Sequence, residues 1–340
     1  MERASAVNTC IASAATNYNK CTPDKAAEAG PYTNTIPYLN YIIQSRSDYY
    51  SNYNGLQVTV DQRLSYGLSF LAGYTYSHAL DFWSKNSLGS VLPTDPTNLR
   101  LDYGNGDNDI RHRFTFSPSY AIPGKKSPGQ MLEGWTLSAI LVVQGGLPWS
   151  PADFTTDDLL GTGENKENYI SSNAGIVQAW NYSGPRSAFT SNSTPIPQFT
   201  GAAATATCAT AATAPYTGNA QLTQLALASL ANLGCYAQGG GILTPPAYGT
   251  NGNASRNLFR GPSYNNVDFS VSKIWHLKER YSAQFRAEFF NIFNRADFAA
   301  PGVDPTAAGF GYATSTPDSS NPVLGSGGPR HIQFGLKLTF

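Results

Sequence analysis

Apolar and polar residues alternate with a period of two in seven stretches of the chain, and each stretch predicts a β-strand, because successive side chains of a strand point to opposite faces. From Asn54 to Arg63, Leu56, Val58 and Val60 alternate with Gln57, Thr59 and Asp61. From Gly67 to His78, Leu68, Phe70, Ala72, Tyr74 and Tyr76 stand against Ser69, Gly73, Thr75 and Ser77. The third stretch, Ile110 to Tyr120, sets Phe114 and Phe116 opposite Arg111, Arg113, Thr115 and Ser117, and the fourth, Glu133 to Leu147, carries Trp135, Leu137, Leu141 and Val143 on one face. The fifth, Asn265 to Trp275, alternates Val267, Phe269 and Val271 with Asp268, Ser270 and Ser272. The sixth, Tyr281 to Asn291, alternates Ala283, Phe285, Ala287 and Phe289 with Gln284, Arg286 and Glu288. At the end of the chain, Ile332, Phe334, Leu336, Leu338 and Phe340 alternate with His331, Gln333, Gly335, Lys337 and Thr339.

The links between these stretches alternate between short and long. Short links follow the first, third and fifth, at Ser65, Pro123 to Gln130 and Lys278 to Arg280; long ones follow the second, fourth and sixth, at 80–109, 149–264 and 294–329. Transmembrane barrels have this asymmetry, with short periplasmic turns and long extracellular loops. Aromatic residues at the stretch ends fit the two interfacial girdles of such barrels: Tyr74, Tyr76, Trp149 and Phe293 toward the long loops, and Tyr120, Trp275, Tyr281 and Phe340 toward the short turns. The predicted fold is therefore all-β, an antiparallel transmembrane β-barrel portion over 51–340, with 1–50 as the remnant of an extracellular loop. Seven strands are an odd number where single-chain bacterial barrels have even counts, so an eighth strand is sought between Tyr38 and Ser45, although Pro37 weakens it there.

Composition sharpens this picture. Only 13% of residues are charged, against roughly 25% in soluble domains, while aromatics make up 12% and the chain holds 32 Gly and 22 Pro. With 22 basic and 22 acidic residues there is no electrostatic footprint for nucleic acid. The longest apolar run, Ala139 to Val143, is far below the roughly 20 residues of a membrane-spanning helix. Residues 1–30 show no positively charged start followed by an apolar stretch, so no export signal is expected there. Within the longest loop, residues 201–214 are an Ala/Thr-rich stretch expected not to pack, followed by Leu222, Leu225, Leu230 and Leu233, which predict a short helix stopped by Gly234. Four cysteines form two spaced pairs in polar surroundings, Cys10 with Cys21 and Cys208 with Cys235, which favours two loop disulfides in an oxidising compartment.

Candidate chemistry is sparse. Asp102, Asn105, Asp107, Asn108 and Asp109 could form a calcium loop, but Arg113 stands where an EF-hand places its acidic twelfth ligand, and a polar loop entering a strand accounts for the stretch equally simply. His78, His112, His276 and His331 have no partner at metal-ligand spacing, and Gly104-Asn-Gly106 lacks the third glycine of a dinucleotide fingerprint. No catalytic residue, cofactor or metal is expected, and the chain is not read as an enzyme. Arg111, Arg113, Asp268, Arg286 and Glu288 fall on polar faces and would point into the lumen, as substrate contacts or as cross-strand charge pairs.

Several of these segments together resemble the C-terminal barrel of Oar-like TonB-dependent transporters: Tyr53-Asn-Gly-Leu-Gln-Val-Thr-Val, Gly73-Tyr-Thr-Tyr-Ser-His-Ala-Leu-Asp, Asp109-Ile-Arg-His-Arg-Phe, Phe285-Arg-Ala-Glu-Phe-Phe-Asn-Ile-Phe-Asn and Pro329-Arg-His-Ile-Gln-Phe-Gly-Leu-Lys-Leu-Thr-Phe. The resemblance implies the C-terminal part of a barrel of about 22 strands, active uptake of a bulky nutrient, outer-membrane lipids as surroundings, and a plug and TonB complex as partners of the full-length parent. It also implies that Phe340, with Leu338, Leu336 and Phe334, is read by the barrel-assembly machinery. Neither plug nor TonB-contacting segment is visible, so a truncated chain is the expectation. Two other readings stay open: a secreted soluble β-sandwich acting as an adhesin or carbohydrate-binding protein, and a small porin of eight strands.

Overall fold

Long strands form at each of the alternating stretches. They are β1 (Asn52–Ser65), β2 (Leu68–Asp81), β3 (His112–Ala121), β4 (Trp135–Gln144), β5 (Tyr264–Lys278), β6 (Tyr281–Phe290) and β7 (His331–Thr339). The computed structural model describes residues 47–82, 98–151, 180–189, 194–278, 280–303, 309–317 and 327–340. The strands pair antiparallel in chain order, and the two-residue strand Gly104–Asn105 beside the end of β2 completes an eight-stranded sheet. β1 and β7 are its edges; among the described residues no pairing joins them, so the sheet is open.

Register turns the alternation of each strand into two continuous faces. Ser69, Ser119, Ser138, Ser270, Glu288 and Gln333 lie in one row across the sheet, partner to partner. One residue along, on the opposite face, Leu68, Tyr120, Leu137, Val271, Ala287 and Phe334 form a second row. A one-residue slip in any strand would interleave the two sets, so the pattern itself specifies the register. Among the described residues the apolar face meets no second sheet: Phe334 is 68% exposed and Leu336 70%. A soluble sandwich would bury that face between two layers, and this finding removes the sandwich expectation. A lipid-facing wall leaves it bare.

The short links are tight and bonded to the sheet. Tyr66 (φ 52°) and Gly67 (φ 84°) form the two-residue turn between β1 and β2, where both central residues need positive φ. The link from β3 to β4 is tied to β5: Gln130 donates to the His276 carbonyl at 2.6 Å and accepts from its N–H at 2.8 Å.

All three long links meet at the other end of the sheet and build one folded cap. Its first core contains Trp149, Trp180, Phe189, Tyr236 and Phe259 from the β4–β5 link together with Phe310 from the β6–β7 link. Trp149 is therefore not a girdle residue; Pro148–Trp149 leaves the sheet to pair with Phe259–Arg260, and the indole is buried against Phe259 and Phe310. A small antiparallel sheet, ordered Asn181–Ser183, Gly241–Thr244, Cys235–Gln238 and Gln198–Phe199, carries one face of this core.

Two helices cover the cap, α1 (Gly201–Thr213) and α2 (Ala220–Leu233). α2 is the helix predicted from its leucines; Asn219 caps it by accepting from the Leu222 N–H at 3.1 Å, and Gly234 (φ 75°) ends it. α1 corrects the expectation for the Ala/Thr-rich stretch. Alanine is the strongest helix former, and Ala204, Cys208 and Ala212 recur every four residues to make a fully buried stripe of small side chains beside Leu230 and Cys235. Cys208 and Cys235 are joined by a disulfide. The other pair, Cys10 and Cys21, and the eighth strand sought between Tyr38 and Ser45 lie outside the described residues.

Candidate functional site

The polar face and its mouth under the cap are where a solute would meet this chain. Register places Arg113, Asp268, Arg286 and Glu288 on that face: Arg113 sits opposite Gln144 and Thr75, Asp268 opposite Ile140, Arg286 opposite Ser272, and Glu288 opposite Ser270. Serines, threonines and glutamines fill about half of the remaining positions, so the wall is hydroxyl-rich and thinly charged. Ser119 and Ser138 share a hydrogen bond of 3.1 Å across β3 and β4. Arg286 and Glu288 stand 3.4 Å apart on the same strand, at the outer limit of a direct pair. Asp268 is committed to the fold, with Oδ1 accepting from Asn266 Nδ2 and from the Asn291 N–H, both at 2.9 Å, which fixes the exit of β6.

Arg111 differs from the other four. It lies just before β3 and is drawn into an ion-pair network instead of standing free on the wall. Asp109, whose side chain is fully buried, accepts from the Ala79 N–H at 2.7 Å, from Arg111 Nε at 2.9 Å and from Arg260 Nη2. Arg260 also donates to the Asp109 carbonyl. Beside it, Arg256 pairs with Asp81 and, at 2.8 Å, with Asp107. Asn257 donates to Asp107 at 2.8 Å and to the Asn105 carbonyl at 2.7 Å, and Asn105 donates back to the Asn257 carbonyl at 2.9 Å. Burial alone would push the Asp109 carboxyl upward, but the Arg260 hydrogen bond, the Ala79 N–H and the two guanidinium charges prevail and hold it below the ordinary carboxylate range.

This network assigns the Asp-rich stretch a role. Its carboxylates neutralise arginines of the β4–β5 link and so fasten the cap to the end of β2. Among the described residues no group of His, Cys, Asp and Glu is arranged to hold a metal ion. His78 Nε2 donates to the Asn105 Oδ1 at 3.1 Å and His112 Nδ1 stands 2.9 Å from the Tyr74 hydroxyl, which places both in local hydrogen bonding. Sequence reasoning missed Arg256 and Arg260, because nothing in a long irregular loop marks an arginine as the partner of a carboxylate some 150 positions away.

It also missed Lys273. This residue falls on the apolar face of β5, where a charge breaks the alternation, and its side chain is completely buried. Its ammonium donates to the Glu133 carbonyl and, at 2.9 Å, to that of Ile274. The rings of Trp275 and Trp135 cover it at 4.9 and 5.9 Å from their centroids. The cation thus ties the start of β4 to β5 at the short-turn end, where amphipathic aromatic rings suit the headgroup level.

On the edge strand, Phe334, Leu336, Leu338 and Phe340 all project from the apolar face and are exposed. Among the curated proteins, none matches the chain. One family, described as outer membrane beta barrel domain, matches residues 7–333. That span takes in β1 to β6, the cap and the start of β7, and it places the chain in the bacterial outer membrane, where an exposed apolar face suits lipid. With its paired faces, short turns at one end and folded loops at the other, the chain belongs to the outer membrane beta barrel domain family.

Proposed function

We propose that this chain forms the C-terminal part of the wall of a TonB-dependent receptor that actively takes up a bulky nutrient across the outer membrane. The observation that carries the reading is the division between a hydroxyl-rich, thinly charged wall and a large cap, built from every long link and locked to the wall by ion pairs around the buried Asp109. A pore for small solutes needs only a constriction, whereas receptors commonly use ornamented outer loops to bind before transport. The segments around Tyr53, Gly73, Asp109, Phe285 and Pro329 that resemble Oar-like TonB-dependent transporters support the finer assignment. On this reading the wall belongs to a barrel of about 22 strands, a plug and a TonB complex supply gating and energy, and the chain performs no chemical catalysis. Its exposed Phe334, Leu336, Leu338 and Phe340 serve the barrel-assembly machinery.

The test is uptake of labelled oligosaccharides, peptides and chelates by cells with and without the gene, each with and without a protonophore. Gene-dependent uptake that the protonophore abolishes is expected. Gene-dependent flux that ignores the protonophore and falls off with solute size would instead describe a passive porin and overturn the proposal.

A further inference from the structure

The cap holds a half-open cavity of about 300 Å³ on the helix side of its small sheet. Strand alternation explains its chemistry. Tyr182 points into the aromatic core, where its ring meets Phe189 and Phe259, so Asn181 and Ser183 point the other way. Thr244 pairs with Asn181 in register and joins it on that face. Ala211 and Ala214, from the end of α1 and the turn after it, form the opposite wall, and Asn253 stands at the rim.

Two of the polar side chains lining it are deeply buried, Asn181 at 4% and Thr244 at 1% exposure. Asn181 is held in place: Oδ1 accepts from the Asn253 N–H at 3.1 Å, and Nδ2 donates to the Tyr216 hydroxyl at 3.2 Å. Asn253 is held as well, its Oδ1 accepting from the Tyr182 N–H at 2.7 Å, while its Nδ2 has no partner among the described residues. No lining residue is charged at neutral pH. A charged ligand would find no counter-charge there, and a purely apolar one would displace water from the polar side chains of the lining without replacing its hydrogen bonds. A hydroxyl both donates and accepts, which matches amides and hydroxyls arranged in this way. The volume falls at the small end of ligand sites, which run from about 300 to 1,000 Å³.

We propose that this cavity binds one ring of a neutral, polyhydroxylated molecule, a hexose or a hexose unit of a longer chain. The proposal deepens the uptake reading by naming a substrate class, and it rests on that reading for the cavity's facing the outside of the cell. The experiment is ligand-observed NMR on the full chain refolded in detergent micelles, with glucose, galactose, mannose and maltose as probes and glucuronate and glucosamine as charged comparators. At least one neutral sugar is expected to bind saturably and at least tenfold more tightly than either charged sugar. Ala214→Trp, which fills the cavity from its exposed side, is expected to weaken that binding at least tenfold while cap melting stays unchanged; Asn253→Ala is expected to weaken it as far but also to lower cap melting, because it removes the acceptor of the Tyr182 N–H. The proposal is overturned if no neutral sugar saturates, if the charged sugars bind as well, or if Ala214→Trp leaves binding unaltered. Energised uptake without sugar binding would remove only the cavity assignment, whereas sugar binding without energised uptake would uphold the cavity and remove the transport reading.

Discussion

Replacing Asp109 by asparagine should unlatch the cap. The substitution keeps the shape of the side chain but removes the charge that Arg111 and Arg260 neutralise, and it puts an amide N–H₂ among three donors. Hydrogen bonds to charged groups contribute about 1.5–3 kcal/mol each. Arg260 is 26% exposed and can partly rehydrate, so the lower end of that range applies to each of the two guanidinium bonds, giving a cost of about 3 kcal/mol. Because about 1.4 kcal/mol is tenfold in an equilibrium constant, local opening of the cap should become roughly a hundredfold more frequent. Hydrogen exchange, followed on peptides containing Ala79 and the strand Phe259–Arg260 in the detergent-solubilised protein, reads this directly. Exchange in β5 and β6 should be unaffected, since the latch touches neither. Arg260→Gln alone should cost a similar amount, and the double variant should cost less than the sum, because the two residues share one interaction. If Asp109→Asn leaves exchange at both sites within threefold of the parent, the latch carries no energy and the reasoning is wrong.

Acidity should act on two carboxylates in opposite directions. The depressed Asp109 stabilises the fold fully above the ordinary carboxylate range, and this contribution is lost as pH falls through its lowered folded value. Burial raises Asp297, only partly offset by the Asn265 N–H and Arg295, so its ionised form costs stability that is recovered as pH falls through its raised value. A melting profile against pH should therefore lose a mildly acidic rise in Asp297→Asn and a strongly acidic fall in Asp109→Asn; unchanged profiles would refute the assignments. The disulfide closes a loop with a sequence separation of 27, so Cys208→Ala with Cys235→Ala should destabilise the cap by about 3–4 kcal/mol, seen as a lower near-UV melting temperature that reductant no longer changes. Lys273→Met should cost about 2–3 kcal/mol by removing the cation from two tryptophans and leaving the Glu133 carbonyl unbonded. A urea midpoint equal to that of the parent would count against that role.

The wall was legible in the sequence because it depends on a local property. Period-two alternation states which side chains share a face, and Ser69, Ser138 and Glu288 reach one row without any information from outside their own strands. The cap was legible only where local signals were strong, as in α2 with Asn219 before it and Gly234 after it. Elsewhere its stability comes from contacts between distant positions. Trp149 looked like a rim aromatic until Phe259 and Phe310 were brought against it. The alanines of α1 looked like filler because small residues pack by letting neighbours approach, and the neighbours lie across a turn. Arg256 and Arg260 carried no mark of their function, since an arginine's partner is chosen by topology.

The two edges of the sheet have one further consequence. β1 and β7 both run from the cap toward the short turns, because an even number of antiparallel reversals separates them. Joining them directly would create a parallel seam, while a wholly antiparallel circuit requires an odd number of strands between them. Lipid cannot satisfy the donors and acceptors that either edge leaves unpaired among the described residues, so parity limits the ways in which this wall can be closed. Any strand that pairs with β7 in the antiparallel sense must rise toward the cap, and its outer end would emerge beside the Phe310 loop.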